Sequence, residues 1–188
     1  MTGVQTCALP ICDHPQKILD LCTGTGDLLL RIADRSNGHA QLVGLDYSPP
    51  MLEIARKKAK KKKAGNPEFI HGDAADMPFP DQHFDAIGIA FAFRNLTYKN
   101  PDSDKFLKEI HRVTSPGGKF VIIETSRPRS AFIQHSVNLY MNLAVKTLGG
   151  ALSGHKSAYR YLAESAKHYY SAGEVTGLLR HAGFSSVN

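Results

Sequence analysis

Residues 17–27 read KILDLCTGTGD, from Lys17 to Asp27, and the fold turns on how this stretch is read. Ile18, Leu19 and Leu21 make a short apolar run suited to a buried strand of a parallel sheet. Gly24 and Gly26 let the backbone turn sharply and let a ligand approach it with no Cβ in the way. Leu28, Leu29, Leu30 and Ile32 then open an amphipathic helix. A helix start beside a glycine loop presents unpaired N–H groups, a natural seat for the polar end of a ligand.

The same alternation continues outward. The first strand is expected to run to Cys22 and the first helix from Asp27 to Arg35. The next strand, QLVGLD, ends at Asp46; Ser48 then suits an N-cap and Pro49 a first helical position. The helix that follows carries Met51, Leu52, Ile54, Ala55 and Ala59, and ends in KKAKKKKAGN with Gly65 as its cap. Further strands are expected at Glu68–His71, Phe84–Phe91 and Lys119–Glu124, the last after an SPGG turn. A helix over Asp102–Val113 puts Phe106, Leu107, Ile110 and Val113 on one face. Strands alternating with helices predict an α/β, Rossmann-like fold: a mostly parallel sheet, helices on both faces, right-handed crossovers.

The two ends read differently. Residues 1–12, MTGVQTCALPIC, have no period and resemble a translated adapter oligonucleotide, so they are read as a non-native tail. Residues 13–188 are then one domain. After the fifth strand the alternation gives way to helical segments at Ser130–Gly150 and Lys156–His168, a helical insertion over about 130–168 on the substrate side. A further helix is expected over Ala172–His181, closed by Gly183, and FSSVN looks like the opening of a sixth strand. The reading therefore expects a chain truncated at both ends.

The 188 residues suffice for one ordinary domain, and 23 Lys and Arg against 17 Asp and Glu leave a net charge of +6. That permits an anionic partner without demanding one. Cys7, Cys12 and Cys22 form neither an even disulfide framework nor, with the histidines, a metal-ligand spacing, so a reducing cytoplasm is expected and no metal. No apolar run is long enough to span a bilayer.

A dinucleotide site wants G-x-G-x-x-G, but Leu29 stands at the third position and the carboxylate of Asp20 precedes the loop. A carboxylate there repels a pyrophosphate and suits a cation. Asp46, at the end of the second strand, can accept from ribose hydroxyls. After the third strand comes GDAADMPFPDQHFD, where Asp73 can accept from an adenine amino group and the N–H of Ala74 can meet a ring nitrogen. Met77 and Phe79 either line the base or belong to the core. A ribose and a positive charge together fit S-adenosylmethionine.

These stretches, with RVTSPGG, look like class I S-adenosylmethionine-dependent methyltransferases. IAFAFRNLTYKN, RVTSPGGKFVIIETS and SAYRYLAES narrow the resemblance to the UbiE/MenG family, C-methyltransferases of menaquinone and ubiquinone biosynthesis. It covers about residues 17–184. The resemblance implies cofactor contacts at Thr25, Asp46, Asp73, Ala74 and Ala90, and the general methyltransferase loop adds Asp20, Gly24 and Gly26. It departs from the family at Cys22 and at Thr114-Ser115. It implies a reduced polyprenyl quinone as acceptor, whose ring carbon becomes nucleophilic as an adjacent hydroxyl, with an ordinary pKa of about 10, loses its proton.

Arg94 and Asn95, just past the fourth strand, are the expected catalytic pair: Arg94 to stabilise the phenolate, Asn95 to orient it. Tyr159, Arg160 and Tyr161 are expected to bind substrate. Demethylmenaquinol is the expected acceptor, with the ubiquinone-branch benzoquinol as the alternative. Nucleic-acid methylation is disfavoured, because enzymes acting on exocyclic amines carry D/N-P-P-Y/F where this chain reads FAFRN. A non-enzymatic cofactor-binding fragment is the reading from another class. The expected setting is the cytoplasm, with peripheral contact at the inner face of the cell membrane; the lysines of Arg56–Lys63 suit either anionic headgroups or a solvated helix end.

Overall fold

The computed structural model describes residues 15–36, 38–62, 66–126 and 169–187, together with 130 and 135. It divides into two compact units, Met1–Glu124 and Thr125–Asn188. Apart from Ser130 and His135, the expected helices over 130–150 and 156–168 lie outside the described residues, as do the Gly65 cap and the trio Tyr159, Arg160 and Tyr161.

In the first unit β1 (Lys17–Leu21), α1 (Asp27–Ser36), β2 (Gln41–Asp46), α2 (Pro49–Lys62) and β3 (Glu68–His71) come first. β4 (Phe84–Ala90), α3 (Phe93–Thr97), α4 (Ser103–Val113) and β5 (Thr114–Ile123) complete it. The five strands are all parallel, in the order β3-β2-β1-β4-β5. The order reverses between β1 and β4, and ligands of such sheets bind at the carboxyl ends beside that point.

β1 is central, and every residue after Lys17 is buried, as a strand covered on both faces requires. One core cluster joins the sheet residues Ile18, Leu42, Phe69 and Ala86 to Leu29 of α1 and to Leu52 and Ala55 of α2. α4 buries Leu107, Ile110 and Val113. Its period matches the sequence expectation, with Asp102 at the N-cap position instead of inside the helix.

Three boundaries differ from expectation for a visible reason. β1 stops at Leu21 and β4 at Ala90 because Cys22 and Phe91 turn into the left-handed region, at φ 55° and 57°. Non-glycine residues there cost about 1–2 kcal/mol each. β5 starts earlier than expected: Phe84 pairs Thr114 while Ala86 pairs Lys119, so the SPGG residues form an irregularity within the strand, with Gly117 at φ 76°. β5 is the edge of the described sheet.

In the second unit α5 (Ala172–His181) opens with a capping box. Ser171 Oγ accepts from the Glu174 N–H, and the Glu174 carboxylate accepts from the Ser171 N–H. The expected sixth strand is not formed over residues 184–187: the Phe184 N–H bonds back to the Leu179 carbonyl at the end of α5.

Candidate functional site

The site is built where β1, β2 and β3 end. Asp20 lies on the Ile18 face of β1, beneath the start of α1. It is 1% exposed, and its Oδ2 accepts from Thr23 Oγ1 at 2.5 Å and from the Leu29 N–H at 3.2 Å. One carboxylate thus holds both the loop and the first turn of α1. Its sheet neighbours are Gly44 and Gly88. A Cβ on Gly44 would lie 2.9 Å from Thr23 Cγ2 and 3.1 Å from Leu29 Cδ2, so the glycine makes room for this packing.

The loop itself closes by a Gly26 N–H to Thr23 carbonyl bond of 2.8 Å. Gly24 and Gly26 both have positive φ, 54° and 78°. A Cβ on Gly26 would meet Ala55 Cβ at 3.0 Å, whereas open space lies in front of Gly24. Thr25 Oγ1 donates to Asp27 Oδ2 and accepts from Lys58 Nζ, which also binds both Asp27 oxygens. Lys58 and Thr25 hold the Asp27 carboxyl below its ordinary range by hydrogen bonding to it.

Asp46 ties the three strand ends together. Its Oδ2 accepts from the Gly24 N–H at 2.7 Å and its Oδ1 from the Ser48 N–H at 2.8 Å. Its carbonyl accepts from the Gly72 N–H at 3.1 Å. Each carboxylate oxygen has a second lone pair, so a doubly bonded Asp46 can still accept from a diol. Asp73 shapes a turn, its Oδ1 accepting from the Ala75 N–H and its carbonyl from the Asp76 N–H. Ala74 is buried beside it. No helix begins at Asp73, so it is a turn residue and not an N-cap. Met77 is buried, and Phe79 stands edge-on to Phe84 with ring centroids 4.9 Å apart, so both belong to the packing beneath the loop.

The electrostatics are acidic. Burial, offset by the Thr23 and Leu29 bonds and reinforced by the Asp46 charge, raises the Asp20 pKa to about 7. Burial, then the charges of Asp46, Asp20 and Asp73, push the Cys22 thiol up to about 12, which keeps it protonated and poorly nucleophilic. A cation entering here meets carboxylates and a group ready to release a proton.

Ala90 ends β4, half-buried, and Arg94 and Asn95 follow on α3. This five-residue helix was not expected from the sequence. It is anchored by Phe93, which is 1% exposed. The Arg94 guanidinium lies 5.6 Å from the Tyr98 ring centroid, and the Arg94 backbone N–H reaches Glu124 Oε2 at 3.5 Å. The parallel sheet therefore brings Asp20, Gly24, Thr25, Gly26, Asp46, Asp73 and Ala74 to the carboxyl ends of β1, β2 and β3, with Gly24 bonded to Asp46 and Asp20 and Gly26 both bonded to Thr23, and it puts Ala90, Arg94 and Asn95 at the same end of the sheet.

Sequence reasoning missed Thr23, Lys58 and the pair Glu109–Arg112. Lys58 was hidden in a run of lysines whose other members look alike. The one available signal for Glu109–Arg112 was its i,i+3 spacing on a helix.

A family profile described as the ubiE/COQ5 methyltransferase family matches residues 5–188. The demethylmenaquinone methyltransferase of Thermus thermophilus is 42% identical over 171 residues, which cover 91% of this chain and 75% of the relative. The protein of the same name from Thermotoga maritima is 39% identical over 172 residues, 91% of this chain and 71% of the relative. The solved structure of a SAM-dependent methyltransferase from Aquifex aeolicus has the same fold, with a TM-score of 0.64 at 22% identity over 92% of this chain and 74% of that one.

Proposed function

The chain belongs to the ubiE/COQ5 methyltransferase family, and from that footing we propose that it methylates a ring carbon of a reduced polyprenyl quinone, demethylmenaquinol, with S-adenosylmethionine as donor. The observation that carries the reading is the Asp46 tie: one carboxylate bonded to the glycine loop, beside open space at Gly24, in an acidic surround.

The residues fit the donor. Asp46 would take the ribose hydroxyls and Asp73 with Ala74 the adenine edge. Thr25 would face the methionine carboxylate, the Gly24 and Gly26 N–H groups being already bonded to Asp46 and Thr23, and Ala90 would contribute its backbone. When bound, the donor supplies a methyl group on a sulfonium, open to in-line attack by carbon. The Asp46 carboxylate would favour that cation, and the buried Asp20, with its pKa near 7, would ionise more readily with the cation bound. Arg94 stabilises the phenolate oxygen adjacent to the attacking carbon, and Asn95 orients it; an arginine does not act as the base. Holding the two reactants in line removes several kcal/mol from the barrier, about 7 kcal/mol in well-oriented cases. Tyr159, Arg160 and Tyr161 are proposed to bind the acceptor ring.

No helix among the described residues is long and apolar enough to cross a membrane. We further propose a cytoplasmic chain in peripheral contact with the inner face of the membrane, because the proposed acceptor carries a lipid tail. The basic residues Lys60, Lys61 and Lys62 do not sit where that acceptor would enter. α2 leaves the carboxyl end of the sheet at Pro49 and carries its last turn about 20 Å away. Those charges suit the helix C-terminus instead.

Incubation with methyl-labelled S-adenosylmethionine and reduced demethylnaphthoquinone or demethoxy-type benzoquinone tests the proposal. Label in the naphthoquinol is expected. Label in the benzoquinol alone would move the reading to the ubiquinone branch, and label in neither would refute it.

A further inference from the structure

The last two turns of α4 carry a clamp on the loop between β3 and β4. Arg112 Nε and Nη2 donate to the two oxygens of Glu109 at 2.7 and 2.8 Å. The rest of the guanidinium fork is spent on one loop. Nη1 donates to the Phe79 carbonyl at 2.8 Å and to Asp81 Oδ1 at 2.8 Å, and Nη2 to the Met77 carbonyl at 3.1 Å. Glu109 Oε2 returns to the same loop, accepting from the Met77 N–H at 2.9 Å. The backbone closes the arrangement, with the Gln82 N–H on the Arg112 carbonyl and the His83 N–H on the Val113 carbonyl.

An ion pair serving helix stability alone needs only the i,i+3 contact, which at a surface contributes little. Here both partners reach the main chain of Met77, and Arg112 extends to Phe79 and Asp81. The pair is also partly sheltered, at 30% and 17% side-chain exposure. Hydrogen bonding to Arg112 holds the Glu109 carboxyl below its ordinary range, and the same bond with Glu109 raises Arg112. Met77 is buried at 3% exposure, four residues after Asp73, so fixing Met77 leaves the Asp73–Asp76 turn little freedom.

We propose that Arg112, held by Glu109, is a positioning residue for adenine recognition: it sets the β3–β4 loop so that the Asp73 carboxylate and the Ala74 N–H present an acceptor and a donor at a fixed separation. The proposal rests on the reading that the cofactor's adenine lies at Asp73 and Ala74. A lysine keeps the charge but lacks the planar fork that serves Glu109 and three loop residues at once.

The test is calorimetric titration of the whole chain with S-adenosylhomocysteine and with S-inosylhomocysteine, which carries an oxygen where adenine has its amino group. Thermal melting of each variant accompanies it. Wild type is expected to prefer the adenosyl compound by at least about tenfold, since the inosyl oxygen faces Asp73 with no proton to give. Arg112→Lys and Glu109→Gln are expected to bring that preference to within about threefold. Asp85→Asn loosens the start of β1, where Asp85 accepts from the Gln16 and Lys17 N–H groups, and is expected to lower the melting temperature with the preference intact.

A preference unchanged in both clamp variants, with both affinities weakened alike, would make the clamp merely structural and overturn the proposal. Should Arg112→Lys fail to fold, Glu109→Gln decides. Wild type that binds both compounds equally would overturn the adenine placement, and wild type that binds neither would overturn the cofactor reading; the proposal falls with either.

Discussion

Replacing Asp20 by Asn should remove most of a pH dependence that the fold builds into its own stability. The carboxyl is buried, and its pKa stands near 7 against an ordinary 3.8, a difference of about 3 units. Between those two values the folded chain holds a proton that the unfolded chain has released. Stability therefore falls as pH rises from about 4 to about 7, and levels above it. At 1.36 kcal/mol per unit the full effect is about 4 kcal/mol, lost by pH 8. Asn keeps an acceptor for Thr23 and Leu29 but cannot ionise. Urea unfolding of both proteins at pH 5 to 9 gives the contrast, and the difference between them cancels other groups. His83 is one such group: burial lowers its pKa, so it adds stability as pH rises towards 6.5. The wild type should lose about 2–3 kcal/mol of this relative to Asp20→Asn between pH 5 and pH 8, the two units from pH 5 to the folded pKa. Parallel stability curves, or a wild type that gains on the variant with rising pH, would refute the reasoning. Cofactor binding should show the mirror image, tightening with pH in wild type and much less in the variant, because a cation favours the ionised carboxyl.

Gly44→Ala should cost about 1–3 kcal/mol in urea unfolding, because its Cβ would enter the Thr23 and Leu29 contacts at 2.9 and 3.1 Å; a neutral result would mean the loop can shift freely. Lys58→Met should weaken cofactor binding about threefold to tenfold with little change in melting temperature, since it removes the bonds to Thr25 and Asp27 at an exposed site; unaltered affinity would return Lys58 to the solvated helix end. Arg94→Ala should lower kcat by about a hundredfold or more while leaving cofactor affinity near that of wild type; an equal loss of both would refute its assigned role.

The fold was legible because its signals are local. Apolar runs, glycine loops and the period of α4 each sit within about a dozen residues, and alternation of the elements decided the parallel sheet. Asp46 and the glycine loop were legible for the same reason, as both stand at strand ends. What stayed hidden depends on pairs far apart in sequence. Lys58 finds Thr25 across 33 residues, and Arg112 finds Phe79 across 33, through side chains that composition treats as solvated. Asp20 shows the gap most clearly. Its acidic character was readable, but its burial under α1, which raises its pKa and turns it inward to Thr23 and Leu29, follows only from packing. The ends of β1 and β4 slipped by one residue because nothing in Cys22 or Phe91 announces a left-handed backbone.

Titration of S-adenosylmethionine into the chain, set beside NADH and repeated with Asp46→Ala, shows whether the Asp46 tie holds a cationic, ribose-bearing cofactor. Saturable one-to-one binding of S-adenosylmethionine, none of NADH, and loss of binding in the variant are expected. Binding of NADH in its place, or S-adenosylmethionine bound as tightly by Asp46→Ala as by wild type, would contradict that role.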